Sequence, residues 1–265
     1  MITTNRPEQL GLRGGYEKRD FGKGPKTYSD TSFADKIAFV LGINSLAQKA
    51  IALDLMSGPG KLSADLQAKR PDVNFIALDW THNQLLKAST PLKVQADAKH
   101  LPIVPNSVDA IFARYAIKDL TTQDQILAIQ QAAEALKPGG VFVLAEMITP
   151  NPQTKNWLNM QHAQKQEFSG RNPEKEGICN IETFRGWRKI LEQAGLTITL
   201  ARRYLSIVET TDWLKGNQVT EQQLEELNHI ILTAPEAAKR AFNIREENGS
   251  VKIDYPVTII RAVKP

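Results

Sequence analysis

The stretch Asp54-Leu55-Met56-Ser57-Gly58-Pro59-Gly60 joins a short apolar run to residues with helical spacing. Glycine lets a backbone come close to a ligand, and a helix N-terminus offers unsatisfied N–H groups to negative charge. Two phosphate-binding patterns compete for such a turn. The dinucleotide pattern G-x-G-x-x-G would need glycine at 63, where Ser63 stands. The P-loop pattern G-x-x-x-x-G-K-[ST] fails because Leu62 follows Lys61 and Leu55 stands five residues before Gly60. Both fail on spacing, and a plain structural turn stays open.

Three other short runs end in polar residues. Leu78-Asp79-Trp80 places a carboxylate where it can accept from two vicinal ribose hydroxyls, with a flat ring beside it for a base. The competing reading is a helix cap for Asp79 and core packing for Trp80. Ala96-Asp97-Ala98 offers an acceptor for an exocyclic amine, and a fourth run ends in Arg114-Tyr115.

The elements that position these residues follow from periodicity. Apolar runs at 50–56, 73–79, 92–97, 108–115 and 141–147 read as strands. Helical spacing covers 33–49, 62–70, 83–89 and 121–136, and Thr-Thr-Gln-Asp can cap the last of these. The strands are continuous apolar runs, as expected where helices cover both faces of a parallel sheet. The alternation calls for a doubly wound α/β sheet, in which ligands sit outside the carboxyl ends of the strands. Beyond residue 150, helices are expected at 154–169, 182–194 and in two or three pieces over 212–245, broken at Pro235. Strands are expected at 196–205 and 252–263, with Pro256 marking an edge or a bulge. Residues 1–31 read as a loose segment or lid. No linker is visible, so a single domain with insertions at 150–181 and 206–250 is expected.

Composition narrows the class. The chain has 265 residues, 42% hydrophobic and 23% charged, which excludes a disordered or fibrous protein. The net charge of +4 is spread out, without the clustered basic stripe of a nucleic-acid binder. One cysteine, Cys179, excludes an internal disulfide framework and a cysteine zinc cluster, and suits a reducing, cytoplasmic setting. His82, His100, His162 and His229 have no metal-pair spacing, so no metal is expected. No apolar run is long enough to span a membrane, and the first residues lack the apolar core of a signal peptide.

Taken in order, ALDLMSGPGKL, NFIALDW, VQADAKHLPIVPNSVDAIFARYAI and ALKPGGVFVLAE resemble the class I S-adenosylmethionine-dependent methyltransferases. The subgroup most resembled contains the ubiquinone and menaquinone biosynthesis methyltransferases, and the likeness covers roughly residues 45–150. It implies a Rossmann-like sheet of about seven strands, mostly parallel with an antiparallel last strand. It also implies S-adenosyl-L-methionine as cofactor. By resemblance, Asp54, Ser57, Gly58 and Gly60 surround its methionine part, Asp79 takes the ribose, and Trp80 lies next to adenine. Asp97 and Ala98 hold the adenine edge, and Arg114 begins the segment facing the sulfonium. The family often has glycine where Met56 stands.

Methyl transfer is an in-line displacement that needs mainly alignment, so no catalytic triad is required. The acceptor is read by exclusion. Arg114-Tyr115-Ala116-Ile117 is not the [DNS]-P-P-[YFW] tetrapeptide of amino-methylating enzymes, and Cys179 lies in no Pro-Cys motif. A small molecule is therefore expected, with nucleic acid the less favoured partner. The alternatives are an RNA or protein methyltransferase, or a fold relative that binds the cofactor without catalysis. Tyr115, Trp157, Arg171 and Trp213 are the expected acceptor-binding residues. Trp157, Gln161 and Lys165 share a helical face. His162, with an ordinary pKa near neutrality, is the candidate base.

Overall fold

The computed structural model describes residues 31–172, 180–217 and 219–265. The N-terminal segment expected to form a lid, except Thr31, and Cys179 lie outside the described residues. The elements are α1 (Thr31–Leu41), β1 (Ile51–Leu55), α2 (Lys61–Lys69), β2 (Asn74–Asp79), α3 (His82–Lys87), β3 (Leu92–Gln95) and β4 (Val108–Arg114). They continue as α4 (Thr122–Ala135), β5 (Leu136–Met147), α5 (Pro152–Phe168), α6 (Phe184–Gln193), β6 (Thr197–Glu209), α7 (Glu221–Leu232), α8 (Glu236–Ala241), β7 (Arg245–Glu247) and β8 (Ser250–Val263). Single 3-10 turns cover Ile43–Ser45 and Ile117–Asp119, and a longer 3-10 segment covers Thr210–Asn217.

The sheet has eight strands in the order β3-β2-β1-β4-β5-β8-β6, with β7 paired to β8. Strands β1 to β5 are mutually parallel, and β8 runs antiparallel to both β5 and β6. Alternate strand residues feed two apolar layers. Ala52, Phe112 and Val143 pack with Leu66 of α2 and Ile37 of α1. Leu53, Ile111 and Phe142 pack with Ile129 of α4 and Trp187 of α6. Each Leu or Ile buried in this way contributes about 1.5–3 kcal/mol. The helices start where the sequence supplies caps. Thr121 Oγ1 accepts Asp124 N–H at 3.0 Å, Asn151 caps α5 ahead of Pro152, and Thr220 and Gln223 form a capping box.

Two expectations are corrected. The helix expected over 33–49 stops at Leu41, because Gly42 turns left-handed at φ 69°. Pro256 is not on an edge, since β8 lies between β5 and β6. Its O accepts Ile148 N–H at 2.9 Å, so its nitrogen faces the same side, just past the end of β5 at Met147. The Ile148–Pro256 pair therefore carries one bond where a residue with an N–H could make two, at the point where β5 ends. The eighth strand, β7, pairs with β8 across Asn248-Gly249, both at positive φ (53° and 71°), as a tight hairpin turn requires.

Candidate functional site

The strand order sets the carboxyl ends of β3, β2, β1 and β4 side by side, which gathers Asp97, Asp79, Gly58 and Arg114 along one edge. After β1 the chain turns through Met56, a non-glycine residue at φ 58°. That conformation favours glycine, and Met56 holds it at a steric cost. Ser57 N–H then donates to Leu78 O at 2.9 Å, and Gly58 N–H donates to Asp79 Oδ2 at 2.8 Å. The turn is thus stitched to β2, its neighbour in the sheet.

The two glycines do different work. Gly58 has φ 55°, and a Cβ built there meets nothing within 4 Å, so the space above it is open. Gly60 has φ 64°, and its Cβ would come within 2.8 Å of Ala88 Cβ. Gly60 is a close-packing residue at the start of α2, whereas Gly58 borders the cradle. Asp54 lies behind the turn. It is buried and accepts Ser63 N–H at 3.1 Å and Ser63 Oγ–H at 2.9 Å, fastening β1 to the first turn of α2. Burial pushes its carboxyl up to about 7, against the pull of Ser63 and Arg114. Ser63, at the position where a dinucleotide site would want glycine, is the residue that anchors Asp54.

Asp79 is mostly buried at the end of β2, and its second oxygen accepts Thr81 N–H at 2.8 Å. The cap of α3 is Thr81, so the capping alternative for Asp79 holds only through this one bond. Trp80 O accepts Gln95 Nε2–H at 3.1 Å, tying β2 to β3. Asp97 accepts Lys99 N–H at 3.0 Å, which closes a turn around Ala98. Arg114 lies 5.5 Å over the Phe33 ring, and that ring is 5.5 Å from Tyr115. Helix α1 therefore covers the end of β4, a role for Phe33 that nothing in the local sequence announced.

On the other side of β4 a second group converges. His162 and Lys165 of α5 meet Asp119 and Lys118 of the turn after β4, together with Arg171 and Trp213. Lys118 Nζ is 2.9 Å from Asp119, His162 Nε2 is 3.7 Å away and Arg171 is 3.8 Å away. Lys165 Nζ sits 4.5 Å from the centre of the Trp213 ring. Burial alone would raise the Asp119 carboxyl, but Lys118, His162 and Arg171 hold it well below the usual range. Burial pushes His162 down to about 4, so the ring is neutral at neutral pH. His162, Arg171 and Trp213 thus lie in one cluster around Asp119 and Lys165, and Tyr115 stands where this group meets the Arg114 side. Trp157 is buried and stacks on Phe242 at 5.5 Å, and both it and Trp213 belong to the apolar layer shared with Tyr255; what sets Trp213 apart is Lys165 over its ring. Lys118, Asp119 and Glu146 were missed, since each lies in an otherwise apolar stretch whose burial only the tertiary fold creates.

Among the described residues no helix is long and apolar enough to cross a membrane, and no group of three or more His, Cys, Asp or Glu side chains is arranged to hold a metal.

Comparisons with known proteins agree with this geometry. The profile of the methyltransferase-domain family matches residues 52–140. The malonyl-[acyl-carrier protein] O-methyltransferase of Dechloromonas aromatica is 30% identical over 146 residues, covering 54% of this chain and 52% of that protein. A ubiquinone/menaquinone biosynthesis C-methyltransferase of Saccharophagus degradans is 27% identical over 123 residues, covering 42% and 49%. The chain thus spans about half the length of the relatives it matches. Among solved structures, YcgJ of Bacillus subtilis superposes with a TM-score of 0.74 at 18% identity over 87% of this chain and 98% of that one. The fold is therefore shared well beyond residues 52–140, the segment that matches the methyltransferase-domain family.

Proposed function

We propose that this protein is an S-adenosylmethionine-dependent methyltransferase that acts on a small-molecule acceptor. The observation that carries the reading is the open cradle above Gly58, held by the same carboxylate, Asp79, that a ribose would meet. A structural neighbour supports the cofactor. Geranyl diphosphate C-methyltransferase of Streptomyces coelicolor, with a TM-score of 0.50 to this chain, was crystallised with S-adenosyl-L-homocysteine and its acceptor.

When bound, S-adenosylmethionine supplies a methyl group already activated on a sulfonium. The chain's part is to bind, align and exclude water. In this reading Ser57 and Gly58 border the methionine end, Asp79 accepts the ribose hydroxyls, and Trp80 flanks the base. Asp97 and Ala98 meet the adenine edge, and Arg114 stands on the sulfonium side. Asp54 and Gly60 act from behind, by fixing the turn. On the acceptor side, Tyr115, Arg171 and Trp213 line the approach and His162 takes the proton released as the acceptor is alkylated. A neutral imidazole suffices there, because an alkylated hydroxyl is strongly acidic. Helix α5 follows β5, and the Thr210–Asn217 segment follows β6, so both insertions reach the carboxyl edge within one domain.

Calorimetry with S-adenosylhomocysteine and with NAD tests the cofactor assignment. The expected result is binding of the first and none of the second. NAD binding with no response to S-adenosylhomocysteine would overturn it.

A further inference from the structure

Glu146 stands opposite Thr258 in the β5–β8 register, and both are 1% exposed. Residues directly opposite in antiparallel strands share a face of the sheet. Glu146 Oε1 accepts two backbone N–H groups, from Ala116 at 2.8 Å and Lys118 at 3.3 Å. Its Oε2 and the Thr258 hydroxyl have no hydrogen-bond partner among the described residues. A buried carboxylate left half-unpaired is costly unless it holds something in place.

What it holds is the turn after β4. Tyr115 lies at φ 52°, and Ala116 follows at φ −124°, ψ −48°. A left-handed non-glycine residue costs about 1–3 kcal/mol and persists only when its surroundings impose it. Two neighbouring residues of β5 impose it here. Ala145 O accepts Tyr115 N–H at 2.9 Å, and Glu146 takes the N–H groups of Ala116 and Lys118. The gripped segment links the two halves of the edge, since Arg114 and Tyr115 precede it and Lys118 and Asp119 end it.

We propose that Glu146 is a positioning residue, whose buried carboxyl fixes the turn after β4 and with it the placement of Arg114 and Tyr115 towards the cofactor and of Asp119 towards His162. The effect on ligand binding rests on the methyltransferase reading; the grip on the turn does not. The charged groups facing Glu146 are Lys118 and Asp119 of the turn, the latter itself met by His162 of α5 and by Arg171. Burial pushes the Glu146 carboxyl up to about 7, against Lys118 and with Asp119. Both forms are therefore populated near neutrality. The ionised form makes the stronger, charge-assisted bonds to the turn. The protonated form keeps Oε1 as acceptor and carries its proton on Oε2, on the face it shares with the Thr258 hydroxyl.

The test follows the backbone amides of Ala116 and Lys118 by NMR in the full chain, together with S-adenosylhomocysteine affinity by calorimetry. In the wild type both amide resonances should shift with a midpoint near pH 7, and Glu146→Gln should abolish that titration while keeping affinity within twofold. Glu146→Ala should speed hydrogen exchange of these two amides at least tenfold, leave β1 amides unchanged, and weaken S-adenosylhomocysteine binding at least fivefold. Equal losses in the Gln and Ala variants, or unchanged exchange in Glu146→Ala, would overturn the proposal. Should Glu146→Ala fail to fold, Glu146→Asp, which keeps the carboxylate but shortens its reach to the two amides, takes its place with the same expected and overturning outcomes. A wild type that binds no S-adenosylhomocysteine would instead refute the cofactor reading and leave the amide result standing.

Discussion

Along the β1–β3 side of the edge, the groups proposed to meet the cofactor are backbone atoms and short side chains supplied within a few residues of each strand end. Gly58 N–H, Asp79 and the turn closed by Asp97 are each set by bonds to an adjacent strand or to the next residues. Along the β5–β6 side the clustered groups are long charged or aromatic side chains, drawn from residues as far apart as Asp119, His162, Arg171 and Trp213. The first region is built by local geometry on a rigid sheet. The second is a buried electrostatic cluster that exists only once separate insertions have packed. A region of the first kind suits a constant ligand, and one of the second kind can change its ligand through a few side chains.

The largest effect that would sharpen this contrast is at Asp79. Asp79→Ala removes charge-assisted bonds of about 1.5–3 kcal/mol each, so S-adenosylhomocysteine affinity should fall at least 100-fold in calorimetry, with the far-ultraviolet dichroism unchanged. Unchanged affinity would refute the ribose assignment. Next come the two glycines, which should part company. Gly60→Val must push Ala88 aside from a left-handed backbone, and should lower stability by about 3 kcal/mol or more in chemical denaturation. Gly58→Val carries the backbone strain, about 1–3 kcal/mol, without a clash, and should lose ligand at least tenfold. Equal stability losses with ligand binding intact would make both merely structural.

A third test concerns protons. The Asp54 carboxyl is raised from 3.8 to about 7 on folding, so the native state holds a proton there that the unfolded chain releases. Its contribution to stability is complete below about pH 4 and is lost as the pH rises through about 7. Asp54→Asn should remove one such proton, changing the slope of unfolding free energy between pH 5 and 6 by about 1.4 kcal/mol per pH unit. An unchanged slope would show that Asp54 is ionised in the fold. The smallest expected effect is at His162. His162→Ala and Trp213→Ala should lower turnover at least tenfold but leave S-adenosylhomocysteine affinity within threefold. A loss of affinity like that of Asp79→Ala would dissolve the division between the two regions.

The same division governs what could be read in advance. Gly58 and Asp79 were legible because a strand, a glycine turn and a carboxylate at a strand end leave a local pattern. The core strands were legible because burial on both faces makes them continuously apolar. Trp157 and His162 lie on one helix with similar local signals, and only the approach of Phe242 to one and Asp119 to the other separates packing from site. Pro256 misled because its unpaired nitrogen depends on where a different strand stops. The Asn248-Gly249 turn was a visible signal, but its first strand, Arg245–Glu247, is short and charged and carries no apolar alternation.

The interior position of β8 has a consequence for synthesis. Among the described residues strand β6 joins the sheet only through β8, yet it leaves the ribosome 53 residues earlier, counting from Thr197 to Ser250. At about 5–20 residues per second, that interval lasts roughly 3–11 s. For that time β5 presents an unfilled edge, and β6 has no template, with Leu205 and Ile207 among its side chains. Arg202 and Arg203 beside them are exposed charges of the kind that disfavours edge-to-edge pairing. The arrangement makes the sheet's completion a late event, and it leaves the β1–β4 half free to form first.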